Sequence, residues 1–165
     1  MHADNSSGLG ADEVRRRHII LKAILVGVLA GLLATAFRVS LDWVEHARST
    51  AVHDTEGWLS LPLALAIGAV GGGVGVWLVR RFAPHAAGSG IPNLRSILRN
   101  EAEPEWKRLL PVKFFAGIAS IGGGLALGRE GPTVQMGSAT GFMVSEWFKV
   151  KAGEGERRAL ISAGA

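Results

Sequence analysis

Hydrophobic residues in this chain are grouped into long runs, and the charged residues collect between those runs. Residues 58–79 contain no charged side chain, and residues 114–145 contain only Arg129 and Glu130. A run of about 18 or more uncharged residues is typical of a membrane-spanning helix. The pattern predicts spans at about 18–40, 58–80, 109–127 and 131–148, a short helix at about 91–100 and a new helix starting near residue 157.

The second half of the chain has shorter apolar segments, interrupted by glycine and proline. The uncharged segment 131–145 would be about 22 Å long as a helix, less than the roughly 30 Å of a bilayer core. Helices that begin or end within the membrane are tolerated where they line a cavity or are buried in protein. We therefore predict an all-α, polytopic membrane protein with tilted and broken (half) helices.

Basic residues indicate the orientation. Residues 15–17 are all arginine and precede the first run, and Arg80 and Arg81 end the second. Because basic residues collect on the cytoplasmic side, residues 1–17 are predicted to be a cytoplasmic N-terminal segment and residues 42–57 an outside loop. This topology accounts for the net charge of +4, so we expect no nucleic-acid partner.

Two alternatives concern the first third of the chain. Arg16 and Arg17, followed by an apolar stretch and Ala-Thr-Ala at 34–36, have the outline of a twin-arginine secretory signal. Asp42, His46 and His53 could bind a metal, although an exposed polar loop is the simpler interpretation, and we expect no metal site. The absence of cysteine excludes disulfides and thiolate metal sites.

Glycine is abundant, with 23 residues in 165. Small residues four positions apart let membrane helices approach closely. We predict helix packing at the pairs Gly27/Gly31, Gly68/Gly72, Gly71/Gly75, Gly124/Gly128 and Gly137/Gly141.

The first motif with chemical content is Gly-Ser-Gly-Ile-Pro at residues 88–92. Pro92 suits the first turn of a helix, and Gly90 allows a ligand to approach the backbone closely. The free N–H groups and positive dipole of a helix N-terminus form a site for an anion, to which Ser89 adds a hydroxyl donor. A simple capped turn is the alternative interpretation.

The second motif is Gly-Arg-Glu-Gly-Pro at residues 128–132, between two apolar segments. Ionisable groups at membrane depth are expensive and indicate function. Pro132 marks a helix start, so the Glu130 carboxylate would occupy the position of an anion at the helix N-terminus and could act as a gate. The alternative is a structural Arg129–Glu130 ion pair. Lys113, near the start of the third run, is expected to extend toward the interface.

These two motifs resemble signature motifs of the ClC family of chloride channels and chloride/proton antiporters, and the chain looks closest to bacterial members. The similarity continues through residues 110–115, 122–124 and 131–137 and covers about 20–165. The resemblance implies the first part of a ClC inverted-repeat fold that transports chloride and is not an enzyme. It also implies a homodimer of full-length chains in a bacterial inner membrane, with no cofactor other than the transported chloride and, for an exchanger, protons.

The resemblance also implies roles for individual residues. Glu130 matches the gating glutamate, which is also the outer proton acceptor in exchangers. Ser89 matches the serine whose hydroxyl binds the central chloride. The residues implied to bind chloride are Gly88, Ser89, Gly90, Ile91, Arg129 and Gly131.

Several family features would lie beyond residue 165: the third anion-binding motif, the pore tyrosine and the inner proton-transferring glutamate. We therefore expect residues 18–165 to be a partial transmembrane domain that does not form a closed pathway alone. The residues present are compatible with either a channel or an exchanger. The alternative function is a truncated, non-transporting membrane fragment or an assembly or regulatory partner.

Overall fold

The computed structural model describes residues 6–55, 57–99, 105–150 and 155–165. The part of the chain that it describes contains helices and no strand, which confirms the predicted all-α class. Two 3-10 turns lie at Gly57–Leu59 and Pro84–Ala86. The α-helices are α1 (Ser6–His53), α2 (Ser60–Phe82), α3 (Ile91–Leu98), α4 (Trp106–Gly122), α5 (Glu130–Trp147) and α6 (Gly155–Gly164).

Helix α1 is longer than the sequence predicts. It runs without a break for 48 residues, about 72 Å, whereas a bilayer core is about 30 Å thick. The expected loop over 42–57 is therefore wrong for residues 42–53, which are helical. Neither glycine nor proline occurs between Gly31 and His53, so no residue in this stretch favours a helix end. The polar residues of this stretch thus stand on a rigid helix.

Among the described residues, two helical segments are long and apolar enough to cross a membrane: Arg16–His53 and Gly57–Phe82, with mean hydropathies of 2.4 and 1.9 in their most apolar windows. Only 6% of each window is buried within the protein. Large apolar side chains such as Leu32, Leu65 and Val70 are about two-thirds exposed. A core helix of a soluble protein would bury such residues, so these surfaces require an apolar surrounding.

The secretory-signal alternative conflicts with the packing of α1. Residues 34–36, the outline of a cleavage site, lie within the continuous helix. On either side of them, Val26, Phe37 and Leu41 are almost completely buried against α4, α5 and α6. Helix α1 is thus part of the core, which argues against a removable leader.

Helix α2 begins and ends two residues later than its predicted span of 58–80. Helix α5 begins and ends one residue earlier than its predicted span of 131–148. Helix α4 ends at Gly122, whereas the apolar run continues to residue 127. Gly124 has a φ of +103°, and residues 125–128 are not helical. Helix α3 ends at Leu98, and residue 100, its predicted end, lies outside the described residues. Helix α6 begins two residues before the predicted position.

Helix α5 forms the centre of the bundle, and residues 135–142 of this helix are all buried. A Cβ atom at Gly137 or Gly141 would overlap the carbonyls of Gly164 and Leu160 in α6. The glycine prediction is confirmed for this pair and for the α2 pairs, whose residues meet α4 or the loop after it. It is wrong for Gly124 and Gly128, which are not helical. A Cβ atom at Gly27 or Gly31 would meet nothing within 4 Å outside the backbone of its own helix in the described part of the chain, so no close packing is seen at this pair.

Candidate functional site

The first motif forms a tight turn followed by a helix, as predicted. Gly88 and Gly90 adopt the left-handed conformation, with φ of +74° and +77°, and Gly90 is the N-cap of α3. Pro92 lies in the first turn of that helix. The Leu94 amide donates to the Gly90 carbonyl at 2.8 Å. No described side chain caps this N-terminus, which leaves its first N–H groups available to a ligand.

Lys113, on α4, binds the backbone of this turn. Its side chain is buried, and Nζ donates to the carbonyls of Ala86 at 2.8 Å and Gly88 at 2.6 Å. The expectation that Lys113 extends toward the interface is therefore wrong, because two carbonyls within the protein accept its protons. A positive charge lies directly against the Gly88 turn. The sequence signal for this role was a lysine inside an otherwise apolar run.

The second motif forms the start of α5. Glu130 is the first helical residue, and Arg129 is the N-cap. The Arg129 guanidinium binds Asp42 Oδ1 at 3.1 Å and Glu45 Oε2 at 2.7 Å, both on α1. The alternative of an Arg129–Glu130 ion pair is thus wrong. Asp42 faces an arginine instead of a metal, and the described residues hold no cluster of three or more potential metal ligands.

The two motifs meet directly. A Cβ atom at Gly131 would lie 3.0 Å from both Cα and the carbonyl oxygen of Ser89, so the start of α5 touches the turn before α3. One helical turn later, Gln135 is buried and its Nε2 donates to the carbonyl of His85 at 3.1 Å. Sequence reasoning missed Gln135, although it is a polar residue inside an uncharged run.

Glu130 lies between two cavities. The larger, about 800 Å³, lies between α2, α4 and the two motifs. The smaller, about 350 Å³, lies between α1 and α5. Glu130 lines both, and its carboxylate forms no hydrogen bond or ion pair within the described part of the chain. The larger cavity is lined by Gly88, Ser89, Gly128, Glu130 and Gly131 together with the cationic side chains of Arg80 and Lys113.

The other predicted site residues are placed differently. Arg129 lines the smaller cavity alongside Arg38. Gly90 is buried against Gln135 and does not line either cavity. The side chain of Ile91 lies outside the described residues.

Exposed apolar helices, together with shorter helices whose N-termini meet at a cavity, are typical of a polytopic membrane protein. Residues 71–165 match the family model described as voltage gated chloride channel. The chain belongs to this family and is an integral membrane protein.

Related proteins support this assignment. The chain is 47% identical over 150 residues to the H(+)/Cl(-) exchange transporter ClcA of Vibrio vulnificus, covering 89% of this chain and 32% of that protein. It is 43% identical to the transporter of the same name from Vibrio campbellii, with the same coverage. Among solved structures, it is similar to a slow cyanobacterial Cl-/H+ antiporter, with a TM-score of 0.76 and 34% identity, covering 89% of this chain and 35% of that one. The chain thus spans about a third of the length of the curated relatives that it matches.

Proposed function

We propose that this chain forms the first part of a chloride transport pathway in which the anion binds between the N-termini of α3 and α5 and Glu130 is the gate. The observation that carries the proposal is the contact of Gly131 with Ser89 beside Glu130, on the wall of one cavity. It brings two helix N-termini, both positive dipole ends, to the same point. The relatives named as H(+)/Cl(-) exchange transporters support transport over a non-transporting alternative.

Chloride would be held by neutral groups. The Ser89 hydroxyl and the backbone of residues 88–91 would bind it on the α3 side, and the backbone at Arg129 and Gly131 on the α5 side. The Lys113 ammonium already donates to two carbonyls, so its positive charge favours an anion nearby without being a direct ligand. Binding by dipoles is weak enough for an ion to leave again, which transport requires.

Glu130 would exchange between two states. When ionised, its carboxylate competes with chloride for the α5 N-terminus. When protonated, it loses this attraction and turns away, which carries a proton and opens the pathway. A position between two cavities gives the side chain room for both states. The same residue supports either a gated channel or a chloride/proton exchanger.

The proposal includes the setting of the protein. The chain would cross the lipid bilayer of a bacterial inner membrane several times, with its N-terminus in the cytoplasm, and would act as a homodimer. Chloride and, for an exchanger, protons would be its ligands. We expect no cofactor, no enzymatic reaction and no nucleic-acid partner.

The test is chloride efflux and proton uptake in liposomes that contain the protein expressed from its own gene. Glu130→Gln should abolish proton uptake while chloride still passes, because the amide cannot ionise or carry the proton. Glu146→Gln is the matched control, since Glu146 lies at the other end of α5 and lines neither cavity. Proton uptake that survives Glu130→Gln would refute the role of Glu130.

A second measurement distinguishes part of a transport pathway from a non-transporting membrane protein. Liposomes that contain only the 165-residue chain should show no selective chloride efflux if further segments complete the pathway. Absence of efflux from the protein expressed from its own gene would instead favour a non-transporting membrane fragment or an assembly or regulatory partner.

A further inference from the structure

Two carboxylates on α1 hold the arginine that precedes Glu130. Asp42 and Glu45 are three residues apart, so they lie on the same face of α1. Each accepts from a different nitrogen of the Arg129 guanidinium, at 3.1 and 2.7 Å. The planar fork of an arginine suits two such contacts at once. We call this set of three residues the carboxylate clamp.

The segment that the clamp holds, residues 124–130, has few other polar contacts through its side chains. Residues 124–128 are exposed and not helical, and no side chain in the described part of the chain caps the N-terminus of α5. Between Gly124 and Glu130, all of them described residues, only Arg129 forms a hydrogen bond or ion pair through its side chain. The clamp is therefore the main polar link between this segment and α1.

The backbone of Arg129 is part of the first turn of α5. Its carbonyl accepts hydrogen bonds from the amide of Thr133 at 3.4 Å and from Thr133 Oγ1 at 3.1 Å. The Thr133 hydroxyl has a single proton and shares it between this carbonyl and that of Glu130, which lies 2.8 Å from Oγ1. A displacement of the Arg129 side chain would thus move the backbone from which Glu130 projects.

We propose that Asp42 and Glu45 are positioning residues for the gate: by holding Arg129, they fix the first turn of α5 and so set how tightly Glu130 movement is coupled to chloride passage. This inference rests on the proposed function of Glu130. Loss of the clamp would leave the first turn looser, and Glu130 would spend less time in the anion position. More chloride would then pass for each proton.

The experiment compares Glu45→Gln, Asp42→Asn and the double variant in liposomes that contain the protein expressed from its own gene. The proton-to-chloride ratio should fall measurably in the double variant, by about twofold or more, since even one partly exposed ion pair can shift the equilibrium between two conformations by up to about fivefold. Arg129→Lys should lower the ratio as well, because an ammonium keeps the charge but cannot reproduce the fork. Asp54→Asn is the charge-matched control, since Asp54 is exposed and forms no ion pair in the described part of the chain.

A double-mutant cycle distinguishes positioning from a general structural role. If the clamp acts through Glu130, adding the double variant to Glu130→Gln should change chloride flux less than about twofold. A larger change of flux in the Glu130→Gln background, or an unchanged proton-to-chloride ratio in the double variant of the otherwise unmodified protein, would overturn the inference. Size-exclusion elution and the thermal unfolding midpoint are the controls that test whether the variants are folded. If the unmodified protein carries no chloride, the proposed function fails. If it exchanges chloride for protons and the ratio is the same without the clamp, only the positioning role is refuted.

Discussion

Gly88 and Gly90 allow a prediction in which backbone strain and packing can be separated. Both residues have nearly the same left-handed φ, +74° and +77°. An alanine in that conformation costs roughly 1–2 kcal/mol. A Cβ atom at Gly88 would have nothing within 4 Å, whereas one at Gly90 would lie 2.6 Å from Cβ and 2.8 Å from Cγ of Gln135. Overpacking of this kind costs roughly 1–3 kcal/mol more.

Gly88→Ala should therefore lower the free energy of unfolding by about 1–2 kcal/mol, and Gly90→Ala by about 2–5 kcal/mol. The lower entropy of the unfolded chain offsets part of each loss, equally for the two variants, so the difference between them measures the packing cost alone. The assay is thermal unfolding of both variants and the unmodified protein in one detergent, followed by tryptophan fluorescence. Equal losses for the two variants would refute the packing argument, and no loss for Gly88→Ala would refute the strain argument.

Two further predictions concern stability. Gly141→Ala should lose roughly 1–3 kcal/mol or more, because its Cβ would overlap the carbonyl of Leu160; Gly31→Ala, with nothing within 4 Å, should be neutral or stabilising by up to about 1 kcal/mol. Equal midpoints for these two in detergent unfolding would contradict the assigned α5–α6 contact. Lys113→Met should lose about 1–3 kcal/mol, since the carbonyls of Ala86 and Gly88 lose their donor, whereas Lys107→Met, exposed on the same helix, should stay within about 0.5 kcal/mol. A stability of Lys113→Met at or above that of the unmodified protein would exclude the bracing role of the ammonium.

The sequence predicted those parts of the fold that depend on local signals. Glycines and Pro92 place the turn before α3, and Glu130 and Pro132 mark the start of α5, because caps and turns involve only a few neighbouring residues. The end of α4 was missed because the extent of the apolar run was taken as the extent of the helix. Leu125 and Leu127 continue the apolar run, but the glycines at 122–124 allow the backbone to leave the helix before it reaches them.

Contacts between distant segments could not be predicted in this way. The polar residues after residue 41 looked like a loop because charge was taken as the sign of a helix end. They instead lie on a continuing helix, and two of them meet Arg129 across 84 and 87 positions of the chain. Hydropathy likewise marks Lys113 as an interruption but contains no information about which carbonyls its ammonium will reach.

The three charged residues in residues 109–145 are treated differently by the fold. Lys113 donates to the turn before α3, and Arg129 is held by α1. The Glu130 carboxylate forms no hydrogen bond or ion pair within the described residues and lies between two cavities. A charge beside apolar segments is costly, and this fold pairs two of the three while the third, exposed Glu130, has no partner among the described residues. That difference supports the proposed gate: a carboxylate held by a partner could not exchange with chloride, whereas an unpaired one on a braced turn would be able to move while its backbone stays in place.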